Sequence, residues 1–285
     1  MSLYKPSELR AFLTDLGISP KKALSQNFLI DGNIIRKIVE LAAVQPGDVV
    51  LEIGSGPGAL TEALLAAGAH VIAVEKDVIL ARALERLQTE DRRLEVHCQD
   101  IIDFDLDATL RPRIGRNKVK VIANLPYHLT TPILTHLVKH FELFSSLCVM
   151  VQEEVARRFT ALCATSDYGS FSVFLNFYSE PHYGFTVSRN CFFPAPKVDS
   201  AVVLLNLRIP PKVASVDAFF KMTRTGFEHR RKMLKASLRD IYSSEDVMKA
   251  LSDCQLNPLA RPEDLSLDNF VALFARLGSL GSLRS

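Results

Sequence analysis

The chain has 285 residues, 48% of them hydrophobic, and a formal net charge of +2. That length and apolar content suit one large domain plus a smaller one, and the near-neutral balance excludes a nucleic-acid reading from overall charge, so such a partner has to show as a local cluster. Five scattered cysteines without a C-x-x-C pair argue against a disulfide framework or a cysteine zinc site, and a polar start with no long apolar run predicts a soluble, cytoplasmic protein without a membrane span.

From the N-terminus, Leu9, Phe12, Leu13 and Leu16 form a short amphipathic pattern closed by Gly17 and Pro20, with Lys5, Arg10, Lys21 and Lys22 around it. This reads as an N-terminal extension placed to touch a ligand or RNA. Ser25-Gln26-Asn27-Phe28-Leu29 follows, then Asp31 to Asn33 as the cap of a helix through Ile34, Ile35, Ile38 and Leu41. Pro46-Gly47-Asp48 turns into a buried strand, Val49–Ile53, which runs into Gly54-Ser55-Gly56-Pro57-Gly58 and a helical segment, Ala59 to Ala67. Strand, glycine loop and helix make a nucleotide-binding opening, because glycines allow positive φ and close backbone approach while the helix start offers free amide hydrogens.

A second strand, His70–Val74, ends in Glu75, at roughly the twenty-residue offset of an acid that binds ribose hydroxyls. The G-x-G-x-G spacing, with Pro57 inside it, suits S-adenosylmethionine better than a dinucleotide. A third strand, Leu94 to Cys98, leads to Asp100, an acid able to accept a hydrogen bond from an adenine amine. The fourth, Lys118 to Ala123, runs into Asn124-Leu125-Pro126-Tyr127, with a helix start at Thr130, Thr131 and Pro132. An Asn amide oxygen, carbonyls exposed by a proline turn and a flat Tyr face could together receive an exocyclic amine and stack on its ring, although an ordinary β-to-α turn uses the same residues. In an alternating β/α series Gly54, Glu75, Asp100 and Asn124 share the carboxyl edge of a parallel sheet, where ligands bind.

Leu147–Val151 is a fifth strand, and Gln152 to Thr160 a helix whose Arg157 and Arg158 read as a solvated face. Phe171 to Phe177 and Ala201 to Leu207 read as two late strands forming an antiparallel hairpin at the sheet edge. Between them Phe192-Phe193-Pro194-Ala195-Pro196-Lys197-Val198-Asp199-Ser200 stiffens a pair of aromatics beside a positive charge, where a base could stack. Pro210-Pro211 marks a boundary, giving domains 1–209 and 210–285. Beyond it Arg224, Arg230, Arg231, Lys232, Lys235 and Arg239 concentrate positive charge on a predicted helix spanning Lys221 to Arg239, the chain's best phosphate-binding patch. In the tail Leu265, Phe270, Leu273 and Phe274 are spaced for a packed helix face. His136 and His140, at i and i+4, lack the glutamate of H-E-x-x-H and a third ligand, so no metal is expected.

With these stretches in place, the chain resembles the ribosomal RNA adenine dimethyltransferases, in particular the branch acting on small-subunit rRNA. Gln26 to Leu29, Glu52 to Gly58, Asn124 to Tyr127 and Phe192 to Ser200 carry the resemblance in order, over nearly the whole chain. Ser25 stands where Gly is usual, and Phe171 where Leu is usual. The resemblance implies a Rossmann-like class I methyltransferase, α/β with a mainly parallel seven-stranded sheet, and a small all-helical C-terminal domain that binds RNA. It implies that Asn27, Leu29, Gly54, Glu75, Asp100 and Asn124 contact S-adenosylmethionine, that Asn124 with the Leu125 or Pro126 carbonyl receives the target amine, and that Tyr127 and Phe192 stack on the base. The implied substrate is a pair of adjacent adenosines in the 3'-terminal hairpin loop of 16S rRNA, within a small-subunit assembly intermediate, and the implied enzyme is a monomer. Open alternatives are a large-subunit rRNA methylase, an RNA-binding assembly factor with methylation secondary, and, from the first two β/α units alone, a nicotinamide-dependent dehydrogenase.

Overall fold

The computed structural model describes residues 3–21, 26–114, 117–229 and 232–280. Packing divides the chain into two units, Met1–Ala156 with Pro181–Arg208, and Arg157–Glu180 with Ile209–Ser285. A boundary at 209/210 leaves Arg157–Glu180 in the first domain, whereas its packing lies with the C-terminal residues.

The first unit is built on strands Phe28–Leu29 (β1), Val49–Ile53 (β2), His70–Val74 (β3), Leu94–His97 (β4), Val119–Asn124 (β5), Phe144–Gln152 (β6), Ser179–Val187 (β7), Phe192–Phe193 (β8) and Ser200–Leu207 (β9). Seven of them form one sheet in the order β4-β3-β2-β5-β6-β9-β7. The pairs β3/β4, β2/β3, β2/β5 and β5/β6 are parallel, and β6/β9 is antiparallel. Near-continuous apolar runs are what strands covered on both faces require: Val50, Leu51, Ile53, Val71, Val121, Ile122, Leu147 and Val149 are all at most 3% exposed. Burying each such side chain contributes about 1.5–3 kcal/mol before entropy is charged against it.

The chain winds outward from β2 through β3 to β4, then returns to the other side of β2 as β5, which sets the switch point between β2 and β5. Register pairs Ile53 with both Val74 and Ala123, and Val74 with His97, so the residues that follow these strands emerge along one edge. Two-residue β1 and β8 pair antiparallel, Phe28 with Phe193 and Leu29 with Phe192, tying the proline loop to the Gln26–Leu29 stretch. The N-terminal helix, Pro6–Asp15, starts on a proline at its first turn and buries Leu9 and Leu13 against Phe28 and Leu80. Asp31 caps helix Gly32–Leu41 by accepting from the Asn33 and Ile34 amides.

In the second unit Phe171–Phe177 is not a strand. Helix Ser170–Tyr178 holds it, opened by a bond from the Gly169 amide to Ser172 Oγ at 3.1 Å. Its rings pack on other aromatics: Phe174 meets Phe220 at 5.0 Å and Phe177 meets Phe219 at 5.3 Å, ring centre to ring centre. The edge strand beside β9 is β7, whose Pro181 and Gly184 disguise it in the sequence. A Cβ on Gly184 would lie 2.6 Å from Leu41 Cδ2 and 2.9 Å from the Val202 carbonyl, so the glycine is there for close approach. The basic span is not one helix either: Val216–Phe227 ends before a break, and Leu234–Ser237 is a separate turn. Helices Ser244–Asp253 and Leu267–Leu280 complete the unit, with Phe270, Leu273 and Phe274 buried. Among the described residues no helix is long and apolar enough to cross a membrane.

Candidate active site

A cavity of about 240 Å³ lies at the carboxyl ends of β2, β3 and β5, where the switch point puts it. Asn27, Leu29, Gly54, Glu75, Asp100, Asn124, Leu125, Pro126 and Tyr127 all line it, so residues spread over a hundred positions meet in one place.

The glycine loop has the backbone that its composition predicts. Gly54, Gly56 and Gly58 have φ of 71°, 54° and 91°. At Gly58 conformation demands glycine, and a Cβ would also sit 2.7 Å from Leu84 Cδ2, so that side chain would have to shift. Glu75, only 6% exposed, reaches back to this loop: Oε2 accepts from the Gly56 amide and Oε1 from the Asp77 amide, each at 2.8 Å. Burial raises its pKa, and the Asp77 charge adds to the rise. A carboxylate carries about four lone-pair sites, so two amides leave it able to accept from a ligand's hydroxyls. Behind it sits Glu52, 1% exposed in the middle of a strand, with Oε2 accepting from Thr61 Oγ1 at 2.6 Å. Burial pushes the Glu52 carboxyl up to about 7. The sequence includes Glu52 in the Glu52 to Gly58 stretch that carries the family resemblance but gives it no role of its own; a lone acid within a buried strand is the further signal that it offers.

Asp100 follows β4 and caps the Ile102 amide through Oδ1 at 3.0 Å, while Lys76 Nζ donates to Oδ2 at 2.8 Å. The Lys76 ammonium holds the Asp100 carboxyl below the usual range. Asp77 next door fastens the Gln26–Leu29 stretch: its Oδ2 receives Lys21 Nζ at 2.6 Å and Gln26 Nε2 at 3.2 Å. Burial works against the Asp77 charge, but the Lys21 and Gln26 hydrogen bonds outweigh it and lower its pKa. Lys76 does not stand out in the sequence as a site residue, since an isolated lysine carries no motif, whereas Lys21 is one of the basic residues of the N-terminal extension read as placed to touch a ligand or RNA.

Asn124 closes β5, and its Nδ2 donates to the Asn27 carbonyl at 3.0 Å. The Leu125 amide donates to the Met150 carbonyl at 3.1 Å, seating the turn on β6. The Pro126 carbonyl already accepts the Leu129 amide at 2.9 Å and Thr130 Oγ1 at 3.4 Å. Tyr127 shares a 2.8 Å hydrogen bond with Ser200 Oγ on β9, and burial raises its pKa. The four residues are thus held by the Asn27 carbonyl, by β6 and by β9, with Asn124 Nδ2, the Leu125 amide, the Pro126 carbonyl and the Tyr127 hydroxyl all engaged.

Phe192 does not line the cavity: it is 3% exposed in the core with Leu29, so the face expected to stack is covered, while Tyr127, with Phe28 and His128, brings a ring to the cavity wall. Its neighbour Phe193 carries the Arg10 guanidinium 4.6 Å from its ring centre. In the second unit Arg224 and Lys232 are exposed, and Lys235 Nζ lies 3.3 Å from Met248 Sδ. Arg230 and Arg231 of the basic span, like Ser25, lie outside the described residues. Among the described residues no group of three or more His, Cys, Asp or Glu is arranged to hold a metal.

The family model for "Ribosomal RNA adenine dimethylase" matches residues 18–278. Ribosomal RNA small subunit methyltransferase A of Protochlamydia amoebophila is 61% identical over 280 residues, covering 98% of this chain and 99% of the relative. The protein of the same name from Chlamydia abortus is 44% identical over 277 residues, covering 96% and 98%. Among solved structures, a dimethyladenosine transferase from Plasmodium falciparum has a TM-score of 0.77 at 23% identity, covering 90% of this chain and 99% of that one, a likeness of fold. The 23S rRNA methyltransferase ErmE has a TM-score of 0.69 at 27% identity, covering 88% and 100%.

Proposed function

The chain belongs to the ribosomal RNA adenine dimethylase family, and from that premise we propose that it dimethylates the exocyclic N6 of two adjacent adenosines in the 3'-terminal hairpin loop of 16S rRNA. It is an S-adenosylmethionine-dependent rRNA adenine N6-dimethyltransferase of the small-subunit type. The assembly intermediate as substrate, the monomeric state and the cytoplasmic location are parts of the same proposal. The large-subunit reading has the ErmE likeness at 27% identity behind it, but full-length relatives at 61% and 44% named for the small subunit outweigh it.

The cavity's own chemistry fits S-adenosylmethionine. Glu75 keeps lone pairs for ribose hydroxyls, side-chain-free Gly54 and Gly56 let a ligand reach the backbone, and Asp100 offers an ionised acceptor for an adenine amine. When bound, that cofactor supplies an electrophilic methyl group. The observation that carries the mechanism is the bond from Asn124 Nδ2 to the Asn27 carbonyl. It commits Nδ2 to Asn27, so Oδ1 is the end of the amide that can accept, and with the Pro126 carbonyl already engaged, Leu125 O is assigned as the second acceptor. Two acceptors matched to the amine's two hydrogens would turn its lone pair out of conjugation and aim it. Tyr127, braced by Ser200, supplies the face on which the base stacks, so orientation rather than a dedicated base does the work. The target has to be single-stranded or flipped out to reach these groups.

Labelled methyl transfer to undermethylated small subunits, wild type against Asn124→Ala, tests the reading. Dimethyladenosine in the 3'-terminal hairpin with wild type and a loss of at least about 10²-fold with the variant are expected. Equal incorporation by both proteins would remove Asn124 from the mechanism, and none by wild type would favour an assembly factor without methylation.

A further inference from the structure

We propose that Lys76 is a positioning residue of the cofactor site, which orients the Asp100 carboxylate toward the adenine amine. The inference rests on the reading that Asp100 binds the cofactor's adenine, and it adds a residue that no motif marks. Lys76 follows Glu75 directly, so the strand end that carries the ribose acid also carries the ammonium. Lys76 and Asp100 line the same cavity, and Lys76 Nζ meets Asp100 Oδ2 at 2.8 Å across the gap between the ends of β3 and β4. The other oxygen, Oδ1, accepts the Ile102 amide at 3.0 Å. A two-point hold of this kind stops the carboxylate from rotating and leaves its remaining lone pairs directed at whatever enters the cavity. The pairing also favours the ionised form, which only accepts hydrogen bonds, so a ligand carrying an amine there is selected over one carrying a carbonyl. Lys76 itself is more than half exposed, with a side-chain accessibility of 58%, so its role is local and its replacement leaves the fold in place.

The deciding experiment measures, by calorimetry, the affinity of the full chain for S-adenosylhomocysteine and for its deaminated analogue S-inosylhomocysteine, which carries a carbonyl in place of the amine. Lys76→Met is expected to weaken S-adenosylhomocysteine by about three- to fivefold, the scale of a partly exposed ion pair, while leaving the deaminated analogue unchanged. Lys76→Arg is expected to restore most of the loss. Equal weakening of both ligands by Lys76→Met, or of neither, overturns the inference. Asp100→Ala separates the two levels: if it still discriminates the ligands as wild type does, the assignment of Asp100 to the adenine fails and takes the inference with it. If Asp100→Ala abolishes discrimination and Lys76→Met does not reduce it, the assignment stands and the inference alone falls.

Discussion

Asn124 Nδ2 donates to the backbone carbonyl of Asn27 at 3.0 Å, a bond spanning 97 residues of sequence that joins the turn after β5 to the segment entering β1. It makes the amide's orientation depend on where the Gln26–Leu29 stretch lies. Lys21 and Gln26 in turn anchor that stretch on Asp77, at the end of β3 beside Glu75. The residue expected to hold the target amine and the residues expected to hold the cofactor are therefore one hydrogen-bonded assembly.

Asn124→Asp tests this link. A carboxylate cannot donate to the Asn27 carbonyl, so two acceptors would face each other. Methyl transfer should fall by about 10²-fold or more, as with the loss of an oriented hydrogen-bonding group in other active sites. S-adenosylhomocysteine affinity should fall further than in Asn124→Ala, because repulsion displaces Asn27. Single-turnover kinetics with calorimetry reads both, and equal cofactor affinity in the two variants would mean that Asn27 is held independently of Asn124.

Tyr127 combines an aromatic face with a hydroxyl bonded to Ser200, and the two can be parted. Tyr127→Phe removes the 2.8 Å bond alone and should cost about 0.5–1.5 kcal/mol of stability with methyl transfer retained. Tyr127→Ala also removes the face, and base stacking is worth about 1–3 kcal/mol, so the RNA KM or kcat should suffer while S-adenosylhomocysteine affinity holds. Thermal melts and steady-state kinetics distinguish the variants. Full activity in Tyr127→Ala would assign the stacking elsewhere, Phe193 being the half-buried alternative.

The second unit's basic residues predict a salt signature. Arg224 and Lys232 are exposed, and reversing them together with Arg230 and Arg231 should weaken RNA binding. The slope of log K against log salt should become shallower by about 0.7 for each single-strand phosphate that the variant no longer neutralises. S-adenosylhomocysteine affinity should stay as in wild type. Filter binding across a salt series gives the slope, and an unchanged slope would place the phosphate-binding residues on another surface.

Much of the first unit could be read from the chain because its strands are apolar runs whose ends carry distinctive residues. Gly54, Glu75, Asp100 and Asn124 meet at the edge that an alternating β/α series predicts, and the register of β2 with β3 and β5 supplies the reason. Phe171–Phe177 misleads because Phe171, Val173, Leu175 and Phe177 alternate as a strand would, whereas the ring contacts of Phe171 with Phe174 and of Phe174 with Tyr178 follow the three- and four-residue spacing of a helix. The β7 edge strand is hidden by Pro181 and Gly184, and the β1/β8 pair is too short for any period to register. Lys76 escapes notice because its partner Asp100 lies 24 positions away, and Lys21, legible only as one of the basic residues of the N-terminal extension, meets Asp77 at a separation of 56 positions.

Glu52 carries the clearest pH prediction. Its carboxyl has an ordinary value of 4.5 and is raised by burial to about 7 in the folded chain. Between those values the folded state holds a proton that the unfolded chain has released, so stability is full below about 4.5, falls as pH rises through the window and levels off above about 7. The gap of about 2.5 corresponds to roughly 3 kcal/mol at most. Glu52→Gln stays neutral throughout and can still accept the Thr61 hydroxyl, whose 2.6 Å bond ties β2 to helix Ala59–Ala66. Wild type should therefore lose Tm relative to the variant between pH 5 and pH 8, by about 2–4 °C for each kcal/mol. Glu75 is raised by burial in the same direction and its charge adds to the rise at Glu52, so the difference between the two curves reads Glu52 together with its coupling to Glu75. Parallel Tm curves across that range would mean that Glu52 keeps its charge state on folding, and that water or a rearranged Thr61 offsets the burial of its carboxylate.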